Sequence, residues 1–270
     1  KLEKLINKKT KAVIWQSTFG NFGQIDKVRD ICKMINILFI EDGAHSGKIV
    51  CGLGFLSFGR DKVVSGAYLC GGAVVAGDEK LRNKLVSLTT DLARKKYWPF
   101  YLWAIYLILQ TYKFFWAGKL IHRLFKNFLP KVLTDGEKRG EKPEKFYTAP
   151  PGVLAQWDKL ENFIKHRQRL AEYYAEQLNL PYNPGSTYLR FNIFVDDPDG
   201  LRRFAAKENI FLGDWYDQVV APKGVDLEKV GYKIGSCPQA ELTAKKIVNL
   251  PTNPNLTLDD VKKVVKIIKL

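Results

Sequence analysis

Along the first forty residues, short apolar runs bracket an amphipathic stretch. Lys11 to Gln16 (KAVIWQ) is apolar, Ile25, Val28, Ile31 and Ile35 recur at helical spacing between Gln24 and Asn36, and Ile37 to Ile40 is apolar again. Strand, helix, strand is the pattern of a parallel βαβ unit. Two further short strands are predicted at Gly54 to Phe58 and Gly72 to Ala76, with polar, glycine-containing loops between them. Ligands of open parallel sheets sit beyond the carboxyl ends of strands, so Asp42, just past Ile40, is where chemistry is expected; position alone also fits a helix-capping or loop carboxylate.

The second half reads differently. Periodicity predicts a long amphipathic helix from about Val153 to Leu178, a strand over Thr187 to Val195, a helix over Pro198 to Asn209 and the start of a strand at Ile210 to Gly213. A closing amphipathic helix spans Asp259 to Leu270, with Thr257 placed to cap it. This part is expected to be a small α+β domain.

Between the halves lies a stretch of another composition. From Leu92 to Thr134 there is no Asp or Glu, while Arg94, Lys95, Lys96, Lys113, Lys119, Arg123, Lys126 and Lys131 are basic and aromatic residues are frequent. Trp98 to Tyr112 is uncharged for 15 residues, short of the roughly 20 that an upright membrane-spanning helix needs. Lys119, Arg123 and Lys126 share one helical face, and Leu120, Leu124 and Phe128 the other. Two readings stay open: a helix lying on an anionic membrane surface through residues 97–130, or a helical hairpin packed on its own domain or a second subunit. The polar segment Asp135 to Lys145 reads as a linker. The expected division is 1–95, a partial large domain; 96–142, a basic aromatic helical insertion; and 143–270, a long helix with the small domain.

Composition adds bounds. With 43 Lys and Arg against 28 Asp and Glu, the net charge of +15 favours an acidic partner. Nucleic acid is the weaker choice, because no helix-turn-helix or RNA-binding signature accompanies the charge. Cys32, Cys51, Cys70 and Cys237 lie far apart and have no His at metal-ligand spacing, so no metal site and no disulfide framework is expected, and a reducing cytoplasm is the default. The chain opens at Lys1 on a polar helical stretch, which reads as a start inside a larger protein.

EDGAHS at Glu41 to Ser46, SFGRDK at Ser57 to Lys62, and the pair Gly71 and Gly72 stand in a recognisable order. Together with TKAVIWQSTFGNFGQIDKVRDI, CPQAE at Cys237 to Glu241 and NLPTNPNLTLDDVKKVV at Asn249 to Val265, they resemble the DegT family of pyridoxal-phosphate-dependent sugar aminotransferases. The resemblance runs in order along nearly the whole chain. It implies an α/β fold of the aspartate aminotransferase type, a large-domain sheet plus a small α+β C-terminal domain. It also implies pyridoxal 5'-phosphate as cofactor, a nucleotide-linked keto sugar and glutamate as substrates, and a homodimer.

By the same resemblance, Lys62 forms the Schiff base with the cofactor aldehyde and, once displaced by the amine substrate, moves protons. Asp42 matches the carboxylate that keeps the pyridine nitrogen protonated, His45 the side chain set against the ring or its phenolic oxygen, and Ser57 a hydroxyl on the phosphate. Arg60 and Asp61 read as a solvated turn, and Gly71 and Gly72 as room for a close backbone approach behind the lysine. The stretch between His45 and Gly52 is shorter than is usual in the family. The family's N-terminal third, with its Ser-Gly-Thr phosphate loop and ring-stacking aromatic, has no match here, nor does the Asn-x-Arg element that reaches into a partner's site. The chain alone is therefore expected to hold the cofactor weakly or not at all. The implied function is amination of a nucleotide sugar for cell-envelope glycans, in the cytoplasm or peripherally at the inner membrane face. The rival reading is a relative without catalysis that binds a membrane or partner.

Overall fold

The short apolar runs in AVIWQ and LFIED build the first two strands of a sheet. Ala12–Gln16 forms β1, Ile25–Met34 forms α1 and Leu38–Asp42 forms β2, and β1 and β2 pair in parallel with Gln16 opposite Asp42. Leu53–Ser57 (β3) adds to β2 in parallel, and Gly72–Ala76 (β4) closes the sheet antiparallel to β3, in the order β1-β2-β3-β4. The computed structural model describes residues 2–59, 61–65, 71–90, 93–95, 145–147, 151–221 and 224–269. They fall into two compact units, one of residues 1–17 and 24–160 and one of residues 18–23 and 161–270. The readings made above for residues 97–130 and for the linker up to residue 144 lie outside the described residues.

In the first unit, helix α2 (Glu79–Thr90) follows β4, strand β5 (Ala93–Lys95) pairs in parallel with β6 (Lys145–Tyr147), and α3 spans Pro151–Trp157. Period-two alternation gives the four-stranded sheet two unlike faces. Glu41, Gly54 and Leu56 lie on the buried face. Ile14, Leu38, Phe55 and Val74 lie on the other and are exposed, Ile14 at 63% and Val74 at 61%. Asp42 and Ser57 belong to this open face by the same alternation. Gly72 sits where a Cβ would come 2.5 Å from the Leu56 carbonyl oxygen, so the close approach there is to β3; a Cβ on Gly71 would meet open space.

In the second unit, α4 (Leu160–Leu178), β7 (Arg190–Phe194), α5 (Pro198–Lys207), α6 (Pro238–Lys246), β8 (Ile247–Pro251) and α7 (Leu258–Ile268) follow in order. Strands β7 and β8 pair antiparallel, and Phe191, Ile193, Val248 and Leu250 bury one face against Leu170, Tyr174 and Ala175 of α4 and Val261, Val264 and Val265 of α7. Thr257 caps α7 in a reciprocal capping box with Asp260. The mixed α/β architecture is the one the sequence resemblance implies.

Three elements differ from their sequence-based prediction. The long helix over 153–178 is two helices: α3 ends at Trp157, the Lys159 N–H bonds back to the Gln156 carbonyl at 3.0 Å, and α4 begins at Leu160. The strand predicted from Thr187 begins only at Arg190, because Thr187 and Leu189 donate their N–H groups to Gly20 and Phe19, each at 2.9 Å, and Tyr188 has φ of 55°. Gly20 is the residue that permits this contact, since a Cβ there would lie 2.6 Å from Thr187 Cβ. Of the strand start at Ile210 to Gly213, only a bridge between Gly213 and Asn249 forms.

Candidate functional site

Three of the sequence-predicted residues lie at or just past the carboxyl ends of β2 and β3. Asp42 is the last residue of β2, not a residue beyond it. Its Oδ2 accepts from the Gln16 side-chain amide at 2.8 Å and its Oδ1 from the Ala44 N–H at 3.0 Å. Both oxygens are thereby oriented, and a carboxylate, with about four lone-pair sites, retains acceptor capacity on each. Ser57 ends β3, and its Oγ accepts from the Gly59 N–H at 3.3 Å.

Lys62 stands in the turn that follows, its N–H donating to the Gly59 carbonyl at 3.1 Å. Gly59 lies between the two side chains: a Cβ built on it would be 3.6 Å from Ser57 Oγ and 3.9 Å from Lys62 Cε. The structure thus brings Ser57 and Lys62 together. Asp61 is exposed, as a solvated turn residue should be; Arg60 lies outside the described residues. Val63 and Val64, directly after the lysine, are buried at 3% and 2% exposure and anchor the turn.

His45 is 1% exposed, inside the loop from Gly43 to Gly52. The Ser46 hydroxyl ties that loop by donating to the Lys48 carbonyl at 2.7 Å, and the Gly47 N–H donates to the Gly43 carbonyl at 3.0 Å.

Glu41 was not singled out from the sequence. Fully buried beside Asp42, it accepts the N–H groups of Val50 at 2.8 Å and Cys51 at 3.1 Å on Oε2, which fastens the far end of the His45 loop to β2. Burial raises its pKa above the ordinary carboxylate value, opposed by those two N–H groups, by the Ser17 hydroxyl and by Lys48. Ser17 lies near enough to favour the charged form, yet among the described residues neither Ser17 Oγ nor Glu41 Oε1 meets hydrogen-bond geometry with any group. The same burial, with the Glu41 charge second, raises the Cys51 thiol.

Gln156 is the other residue that sequence reasoning passed over. Its side chain accepts the Ser65 N–H at 3.1 Å and donates to the Ser65 carbonyl at 2.8 Å across 91 positions of sequence. Neither residue carries a local signal of its role: a glutamate before a strand-end aspartate and a glutamine on a helix are common in any sequence.

Among the described residues, no group of His, Cys, Asp and Glu is placed to hold a metal ion, and no helix is long and apolar enough to cross a membrane.

The profile of the DegT/DnrJ/EryC1/StrS aminotransferase family matches residues 1–103 and 152–269. GDP-perosamine synthase of Vibrio cholerae is 26% identical over 295 residues, covering 99% of this chain and 68% of that protein. Among solved structures, DesV of S. venezuelae in complex with a ketimine intermediate superposes with a TM-score of 0.70 at 21% identity, over 99% of this chain and 67% of that one. NtdA of Bacillus subtilis with bound cofactor PMP superposes with a TM-score of 0.67 at 16% identity, over 100% of this chain and 59% of that one. At these identities the structural likeness establishes the fold.

Proposed function

The chain belongs to the DegT/DnrJ/EryC1/StrS aminotransferase family, and from that premise we propose that it carries the cofactor-holding part of a pyridoxal-phosphate-dependent nucleotide-sugar aminotransferase. The observation that supports this most directly is the pairing of Ser57 and Lys62 about Gly59 at the carboxyl end of β3, next to the strand that ends in Asp42. The donor set fits the cofactor: an amine for its aldehyde, a hydroxyl for its phosphate and a carboxylate for its ring nitrogen. When bound, the cofactor supplies an electron-withdrawing ring that stabilises the carbanion left when the substrate carbon loses its proton.

Lys62 is assigned the covalent attachment of the cofactor and, after displacement by the substrate amine, the carriage of a proton to and from the substrate carbon. Asp42, its oxygens already fixed by Gln16 and Ala44, would hold a proton on the ring nitrogen. Ser57 would donate to the phosphate, and His45 would lie on the side of the ring or its phenolic oxygen. The relative named GDP-perosamine synthase supports a nucleotide-linked keto sugar as the acceptor. Glutamate as amino donor, a homodimeric assembly, a role in cell-envelope glycans and attachment of residues 97–130 to an anionic membrane complete the proposal. The chain spans about two thirds of the length of the relatives it matches end to end, and the activity is that of the assembled enzyme.

Borohydride reduction in the presence of pyridoxal 5'-phosphate tests the assignment. The expected result is pyridoxyl label on the peptide that contains Lys62 and its loss in Lys62→Arg. Label on another lysine, or undiminished label in the variant, overturns it.

A further inference from the structure

The turn that carries Lys62 is bracketed by two adjacent side chains of α3. Trp157 packs edge-on against Phe58, four residues before the lysine, with ring centroids 6.3 Å apart and planes at 87°. Gln156 grips the chain three residues after it. Its amide accepts the Ser65 N–H at 3.1 Å and donates to the Ser65 carbonyl at 2.8 Å, the pair of bonds that a neighbouring strand would make. A further bond from the same nitrogen to the Gly152 carbonyl at 2.7 Å fixes the side chain to its own helix.

Buried Val63 and Val64 lie between the lysine and this grip. Gly47, where a Cβ would come 3.0 Å from Val63 Cβ and 3.3 Å from Leu160, lets the His45 loop close on the same segment. Ser57 is a strand end and needs no such support. Phe58, next in the chain, still donates its N–H to the Gly71 carbonyl at 2.7 Å; beyond it the turn is gripped by Gln156 at Ser65.

We infer that Gln156 is a positioning residue for Lys62: its side-chain amide makes at Ser65 the pair of bonds that a neighbouring strand would make and so sets where the amine of Lys62 stands. This rests on the reading of Lys62 given above. A fixed amine reacts from one geometry, whereas a mobile one spends most of its time out of reach of an aldehyde held elsewhere, so losing the grip slows attachment even where the fold survives.

Two variants in the full chain test this, each read by backbone amide exchange without cofactor and by the rate of pyridoxyl incorporation at Lys62. In Gln156→Ala, protection of the Ser65 amide should fall by about tenfold or more, incorporation should slow by a similar factor, and amides of β7 and β8 should keep wild-type protection.

Gln156→Glu keeps the acceptor for the Ser65 N–H. When ionised, it sets a negative charge against the Ser65 and Gly152 carbonyls, which raises its own pKa. When protonated, it can donate as glutamine does. Its Ser65 protection and Lys62 incorporation, each relative to wild type at the same pH, should therefore approach the wild-type level in acid and fall below it in base, stopping short of the alanine level at the Ser65 amide because the ionised carboxylate still accepts that N–H; loss of packing alone does not produce such a profile.

Wild-type exchange at Ser65 in folded Gln156→Ala overturns the inference, and so does a Gln156→Glu profile that does not respond to pH. If the alanine variant does not fold, the glutamate profile decides. Label on another lysine in the wild type strikes at the reading of Lys62 instead, and the grip then stands or falls on amide exchange.

Discussion

The two units solve the same problem by different means. The second closes an apolar core around its two strands: Leu170, Tyr174, Phe191, Val248, Leu250 and Val261 are buried, with partly buried hydrophobic side chains packed against them. Two of its buried polar side chains are tied to the backbone as well. The Tyr174 hydroxyl donates to the Pro251 carbonyl at 3.1 Å, and burial pushes its phenol far above the ordinary value. Arg167 bonds the carbonyls of Leu189 and Thr252, and burial, followed by the charge of Arg190, lowers its pKa to about 10.

The first unit leaves one face of its sheet open, the face that bears Asp42 and Ser57, and fastens its loops one at a time through Glu41 and Gln156. Apolar burial holds the second unit. In the first, side-chain bonds to backbone hold the loops that carry the candidate site.

The largest expected effect separates the units directly. Leu250→Ala, at a fully buried position of β8, should cost about 2–5 kcal/mol, while Val74→Ala on the open face should stay within about 0.5 kcal/mol. Urea midpoints of the two variants check this, and a large loss at Val74 would mean that the open face is covered in solution.

A smaller effect shows how far the closed unit also leans on a polar hub. Asn249 accepts from the Trp215 N–H at 2.8 Å and donates to the Trp215 carbonyl at 2.6 Å and to Asn192 Oδ1 at 2.9 Å. Asn249→Ala removes these three bonds and should cost about 1–3 kcal/mol, with faster amide exchange at Gly213 and Trp215. An unchanged urea midpoint would show that water replaces the hub.

The smallest effect concerns the first unit alone and is read against pH. The pKa of Glu41 is raised in the folded state. Between the ordinary carboxylate value and that raised one, the folded protein therefore binds more proton than the unfolded chain, and stability falls as pH rises through the window. Glu41→Gln removes this contribution, so its stability curve should be flatter there than the wild type's. Parallel curves would mean that water or a shift of Lys48 relieves the buried charge.

The sequence by itself determined the local elements and the order of the chemistry. The apolar runs and helical spacing gave β1, α1 and β2 as a parallel unit, the bounds of β4 matched residue for residue, and Thr257 capped the last helix. These are legible because period, propensity and caps act within a few residues. EDGAHS and SFGRDK likewise carry Asp42, His45, Ser57 and Lys62 in one order along the chain.

Only the tertiary structure decided which backbone groups meet. Thr187 and Leu189 look like strand residues, but their N–H groups go to Gly20 and Phe19. Glu41 and Gln156 look like surface residues, but they fasten Val50, Cys51 and Ser65. A hydrogen bond between residues 91 positions apart leaves no periodicity to read, because its partner is fixed by how elements pack and not by the residues beside it.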